Sequence, residues 1–103
     1  MHPHGVSSRR SLYLMAVRSR VIVHGRVHGV GFRAFVSRAA QSRGVAGWVR
    51  NRLDGTVEAV LEGEPEPVES IVRFCREGPR AAWVAQVETF AEEPEGLRGF
   101  EVR

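Results

Sequence analysis

The densest concentration of chemistry-bearing residues is a nine-residue run, Gly25-Arg26-Val27-His28-Gly29-Val30-Gly31-Phe32-Arg33. It follows a β-branched stretch and leads into a helical apolar stripe, so it reads as a strand-to-helix loop. Its glycines let the backbone curl until successive N–H groups point at one centre, and the helix that follows adds the unpaired amides of its first turn. That combination is an anion cradle. We predict the amides of His28, Gly29, Val30, Gly31, Phe32 and Arg33 as a phosphate-binding set. Arg33 stands where the loop becomes helix, so its planar fork can add two parallel hydrogen bonds to a phosphate already held by the main chain. In an ordinary loop such an arginine would simply be solvated, and the surrounding glycines are what favour the ligand. The run lacks Gly-Lys-[Ser/Thr] and the spacing of a dinucleotide fingerprint, which argues against a nucleotide.

A second candidate is Asn51, at the end of Trp48-Val49-Arg50-Asn51. Its carboxamide donates and accepts at once, the property needed to orient an attacking water. Taken alone, an asparagine before a turn is a turn former. Other groups carry less. His28 is either a proton donor or a solvated packing residue, and His24 faces out of its strand. No histidine–carboxylate grouping has zinc or two-metal spacing, so neither a metal nor a cofactor is expected. Cys75, flanked by Ile71, Val72 and Phe74, reads as a buried thiol without chemistry.

The elements that must bring Arg33 and Asn51 together follow from periodicity. Val21-Ile22-Val23-His24-Gly25-Arg26-Val27 is a first strand. Phe32, Phe35, Val36, Ala39 and Ala40 form a helical stripe, with Ser37, Arg38, Gln41 and Ser42 opposite and Gly44 as the stop. Residues 45–53 and 56–62 are strands joined by Asp54-Gly55, a tight hairpin pair. In the second of these Val57, Ala59 and Leu61 face a core and the alternate residues face mostly water. Glu64-Pro65-Glu66-Pro67 opens a second helix with Val68, Ile71, Val72 and Cys75 inward, ended by Gly78-Pro79. Residues 83–89 are a strand with Trp83, Ala85 and Val87 on one face, and residues 99–102 a short last strand. The order is βαββαβ plus a short strand: a ferredoxin-like split βαβ sandwich, α+β, with two helices on one face of an antiparallel sheet. The first and second strands then run parallel with the third between them. Their C-terminal ends share one rim, which places Asn51 within reach of the glycine loop.

Composition bounds the rest. A chain of 103 residues suits one core. All 15 basic residues are arginines, so no lysine is available for Schiff-base chemistry. The formal charge of +3 comes from the start of the chain: four arginines and no acids fall within residues 1–20, and beyond them 11 arginines face 12 acids. We therefore expect residues 1–18 to be a flexible N-terminal extension and residues 19–103 one folded domain, with no membrane span and no nucleic-acid partner. Ser8-Arg9-Arg10 faintly suggests an export signal, but the apolar run after it is too short. A single cysteine suits a reducing, cytoplasmic setting.

Two long stretches, Val23 to Arg33 and Gly47 to Gly63, resemble the two signature segments of the acylphosphatase family. The first signature usually reads Gly-x-Val-Gln-Gly-Val-x-Phe-Arg, and residues 25–33 depart from it only at His28. The second is matched throughout by Gly47-Trp48-Val49-Arg50-Asn51, Gly55-Thr56-Val57 and Gly63. The resemblance implies a small, cytoplasmic, monomeric, cofactor-free enzyme that hydrolyses acyl phosphates, whose loop a phosphate or sulfate ion would occupy. It makes Arg33 the catalytic phosphate-binding arginine and Asn51 the residue that positions water. His28 in place of glutamine leaves main-chain amides intact. A histidine can titrate near neutrality, so His28→Gln is expected at this level to flatten the activity–pH profile between about pH 5 and 8. The alternatives are a non-catalytic regulatory domain and a nucleic-acid-binding module of the same element order. The third strand has no stacking aromatic and carries acids, which argues against the latter.

Overall fold

The computed structural model describes residues 16–103. The elements run β1 (Val17–Arg26), α1 (Phe32–Ser42), β2 (Ala46–Asn51), β3 (Val57–Gly63), α2 (Pro65–Glu77), β4 (Trp83–Glu92) and β5 (Phe100–Val102). They form one five-stranded sheet of order β4-β1-β3-β2-β5 with both helices against one face, the ferredoxin-like α+β arrangement expected. The core lies between helices and sheet: Val21, Val23, Val57, Ala59 and Leu61 from the strands meet Phe32, Val36 and Ala40 of α1 and Val68, Ile71, Val72 and Cys75 of α2. Burial pushes the Cys75 thiol up to about 12, which leaves it protonated and inert.

The site depends on one register. β1 and β2 are both antiparallel to β3, and Val57 is paired with Val23 on one side and Asn51 on the other. Val23, Val57 and Asn51 thus stand abreast, with about 10 Å across the two spacings. β1 continues three residues further to Arg26 and delivers the glycine loop beside Asn51.

Several details differ from the sequence expectation. β1 begins at Val17, so Val17 and Arg18, assigned to the extension, are strand residues paired with Gly63 and Glu62; the rest of that segment, residues 1–15, lies outside the described residues. β5 pairs parallel with β2, so the sheet is mixed instead of wholly antiparallel. In β4 a register shift opposite His24 and Gly25 breaks the alternation: Val84 and Val87 pack on the core, while Trp83 is 63% exposed. Lastly, the outer face of β3 is not solvated. Glu58 and Glu62 are 6% and 5% exposed and Val60 is fully buried, because long arginine side chains from the flanking strands lie across them. Ser37, placed on the wet side of α1, is likewise buried and accepts a hydrogen bond from Gln41.

That outer face is a lattice of charge. Arg18 donates to Glu92 at 2.8 Å and to Glu62 at 3.4 Å, Arg20 bridges Glu92 and Glu58, and Arg50 donates to Glu58 at 2.7 Å. The hydrogen bond from Arg18, helped by Arg20, holds the Glu92 carboxyl below the ordinary glutamate range against an opposing effect of burial. Burial opposes ionisation of Glu62 as well, but the N–H groups of Glu95, Leu97 and Gly96, together with Arg18, outweigh it and hold its carboxyl low. Depressed folded values mean stability that is complete above the unfolded glutamate value and is lost as pH falls through the folded ones. Calorimetry should therefore show Tm falling by at least about 5 °C between roughly pH 6 and 3.5, and Arg18→Gln should shrink that fall. A Tm level across the window would refute the role given to this lattice. Among the described residues no helix is long and apolar enough to cross a membrane.

Candidate active site

Between β1 and α1 the chain makes the bend its glycines allow. Gly29 has φ 71° and Gly31 φ 79°, while every non-glycine residue described has a negative φ. A left-handed glycine on each side of an ordinary Val30 is the alternation that turns successive N–H groups to one side. A Cβ at either glycine would meet nothing within 4 Å, so conformation, not crowding, requires glycine here. Gly31 is also the N-cap of α1, and its carbonyl accepts the first helical bond, from Phe35, at 3.0 Å. No side chain caps this end and no acid sits in its first turn, in contrast with α2, which opens on proline and Glu66. Among the described residues, no N–H from His28 to Arg33 donates to a protein acceptor. The unpaired amides at the positive end of α1 are of the kind that can receive an anion.

Arg33, in that first turn, is exposed, and its Nη1 donates to the main-chain oxygen of Arg103 at 3.1 Å. One of five guanidinium N–H groups is used, so a fork remains for a phosphoryl group. Asn51 ends β2 half-buried, immediately before the hairpin. Arg52 N–H donates to the Thr56 carbonyl at 2.9 Å, and Asp54 accepts from both the amide and the hydroxyl of Thr56. Those two bonds, the hydroxyl's first, hold the Asp54 carboxyl below the ordinary range.

His28 completes the join. Its Nε2 lies 2.8 Å from the same Thr56 carbonyl, and since a carbonyl only accepts, Nε2 carries the proton. The ring therefore staples the glycine loop to the hairpin that carries Asn51. A glutamine amide can make the same donation, which gives the departure from the family signature a physical equivalent. Either side chain can supply this donor, so His28→Gln is expected to keep KM within about threefold of wild type, while His28→Ala, with no donor, raises KM several-fold. A wild-type KM in His28→Ala would remove the staple from the account.

Val27, Gly29, Gly31, Phe32, Arg33, Ala34, Asn51 and Val102 line one recess of about 310 Å³. The structure thus brings Arg33, Asn51 and most of the predicted loop together, while His28 and Val30 stand outside the lining. Sequence reasoning missed the wall formed by Val102 and the Arg103 oxygen that accepts from Arg33. The last strand was legible, but its parallel pairing with β2, which brings it here, has no local signal. Among the described residues no group of three or more His, Cys, Asp or Glu side chains could hold a metal ion.

Comparison with known proteins identifies the family and the fold. The family model described as Acylphosphatase matches residues 19–102. A Thermococcus kodakarensis protein named acylphosphatase is 56% identical over 86 residues, covering 84% of this chain and 94% of its own. The crystal structure of acylphosphatase from Bacillus subtilis superposes with a TM-score of 0.82 at 39% identity, over 84% of this chain and 98% of that one. An acylphosphatase structure from Coxiella burnetii gives 0.85 at 33% identity, over 88% and 96%. With residues of both signature segments lining a single recess and its sequence matched from the first strand to the last, the chain belongs to the acylphosphatase family.

Proposed function

We propose that the chain hydrolyses acyl phosphates, with the phosphoryl group seated on the amides of residues 28–33 and the Arg33 guanidinium, and with water placed by Asn51. The observation that carries this reading is the shared recess, in which an uncapped helix end, a free arginine fork and a carboxamide face one small volume. Asn51 orients a water on the side of the phosphorus opposite the acyl oxygen. The water oxygen bonds to phosphorus as the bond from phosphorus to the acyl oxygen breaks, and the electron pair leaves with the carboxylate. The proton of the attacking water passes to a phosphoryl oxygen. A carboxylate leaves readily, so no strong protein base is required, and the amides and Arg33 offset the charge that develops on the equatorial oxygens.

The unit that acts is the domain of residues 17–103, a cytoplasmic monomer whose loop also accepts free phosphate or sulfate. Purified protein should hydrolyse benzoyl phosphate equally well with and without EDTA, and inorganic phosphate should inhibit competitively. Absence of turnover, or turnover abolished by the chelator, would sink the reading. A nucleic-acid module is disfavoured by the outer face of β3, where Glu58 and Glu62 engage the flanking arginines.

A further inference from the structure

We propose that Glu62 is a positioning residue for Arg33, acting from the far end of the sheet through the loop and strand that carry Arg103 to the guanidinium. The proposal rests on the reading of Arg33 as the phosphate-binding arginine. Glu62 stands opposite Ala46, at the end of β2 furthest from Asn51, about 17 Å away along the strand. Its carboxylate is wrapped by main chain: Oε1 accepts from Glu95 N–H at 3.0 Å, and Oε2 from Gly96 at 2.6 Å and Leu97 at 2.9 Å. Arg18 adds a fourth donor at 3.4 Å. A 5% exposed carboxylate with three amides closed around it is a fixed post, and the loop is folded about it.

What the post holds matters because the loop has little slack. Residues 93–99 carry the chain from β4 at one edge of the sheet to β5 at the other, past β1, β3 and β2. Four strand spacings amount to about 19 Å, against at most about 29 Å for the eight steps from Glu92 to Phe100, but only three of those steps, at most about 11 Å, lie beyond Leu97. Fixing residues 95–97 therefore fixes where β5 begins. β5 is only three residues long, held at its ends by Gly47 N–H to Gly99 O at 2.9 Å and Arg103 N–H to Val49 O at 2.8 Å. Its register sets both the Val102 wall of the recess and the oxygen that holds Arg33. A released loop lets this short edge strand slip or fray, and Arg33 then samples orientations that do not face the phosphate.

If the competent orientation of Arg33 is populated only part of the time, apparent affinity falls by that fraction, while saturating substrate restores it. Glu62→Gln is accordingly expected to raise KM for benzoyl phosphate and the inhibition constant of inorganic phosphate together, by about fivefold to tenfold, with kcat within about twofold. Gly96→Ala, which strains the same amide nest at φ 77° without touching Glu62, should act in the same direction and replaces Glu62→Gln in the test if that variant does not fold. The deciding measurement is a double-mutant cycle with phosphate titrated by NMR: in an Arg33→Ala background Glu62→Gln should have no further effect on phosphate affinity. The same weakening in both backgrounds, or a lowered Tm with unchanged KM, overturns the proposal. Full activity of Arg33→Ala itself is a separate outcome, which would overturn the assignment of Arg33 instead.

Discussion

Replacing Arg33 with alanine is expected to lower kcat on benzoyl phosphate at least about a hundredfold, equivalent to about 2.7 kcal/mol of lost transition-state stabilisation. The fold should barely notice. The side chain is exposed and its protein contact is a single bond to the Arg103 oxygen, so Tm should stay within about 3 °C. In the proposed mechanism selectivity for the transition state follows from charge: as the acyl oxygen departs, charge builds on phosphoryl oxygens that the preorganised fork would face. The loop amides remain in the variant, so inorganic phosphate should still bind, only more weakly. Arg33→Lys supplies charge without the bidentate fork and should recover only part of the loss. Wild-type kcat in Arg33→Ala would remove the guanidinium from the mechanism and leave the loop as a bare anion site.

Local rules read most of this molecule from its sequence because most of its elements obey them. The stripe Phe32, Val36 and Ala40 buries as helical spacing requires, and Val57, Ala59 and Leu61 bury as alternation requires. Arg33 and Asn51 were legible as partners because the order βαββαβ forces β1 and β2 onto the same rim, and the shared pairing of Val57 realises it. What local rules could not reach depends on neighbours distant in sequence. Glu58 and Glu62 alternate as solvent-facing residues should, yet both are buried by Arg18, Arg20 and Arg50 from adjacent strands. Trp83 had the apolar bulk of a core residue, but the shifted register opposite Gly25 turns it to solvent. The hydrogen bond from His28 to Thr56 spans 28 residues, and no spacing rule predicts the acceptor of a loop side chain.

The second large effect separates the two halves of the mechanism. Asn51→Ala is expected to cost at least about a hundredfold in kcat, like Arg33→Ala, but to leave the inhibition constant of inorganic phosphate within about twofold. The reason is positional. In the proposed mechanism phosphate affinity comes from the amides and the guanidinium, whereas the carboxamide at the end of β2 handles the nucleophile, which product inhibition does not probe. Its backbone is secured independently, by pairing with Val57 and by the Arg52 to Thr56 bond that follows, so truncation leaves the rim in place. Asn51→Asp sharpens the test, since a carboxylate accepts a water proton but cannot donate, and it adds negative charge beside the phosphoryl group. Its kcat should fall as far as that of alanine and its phosphate affinity should also drop. If Asn51→Ala weakened phosphate as strongly as Arg33→Ala while kcat held, the carboxamide would be a phosphate ligand, and the water would need another partner in the recess.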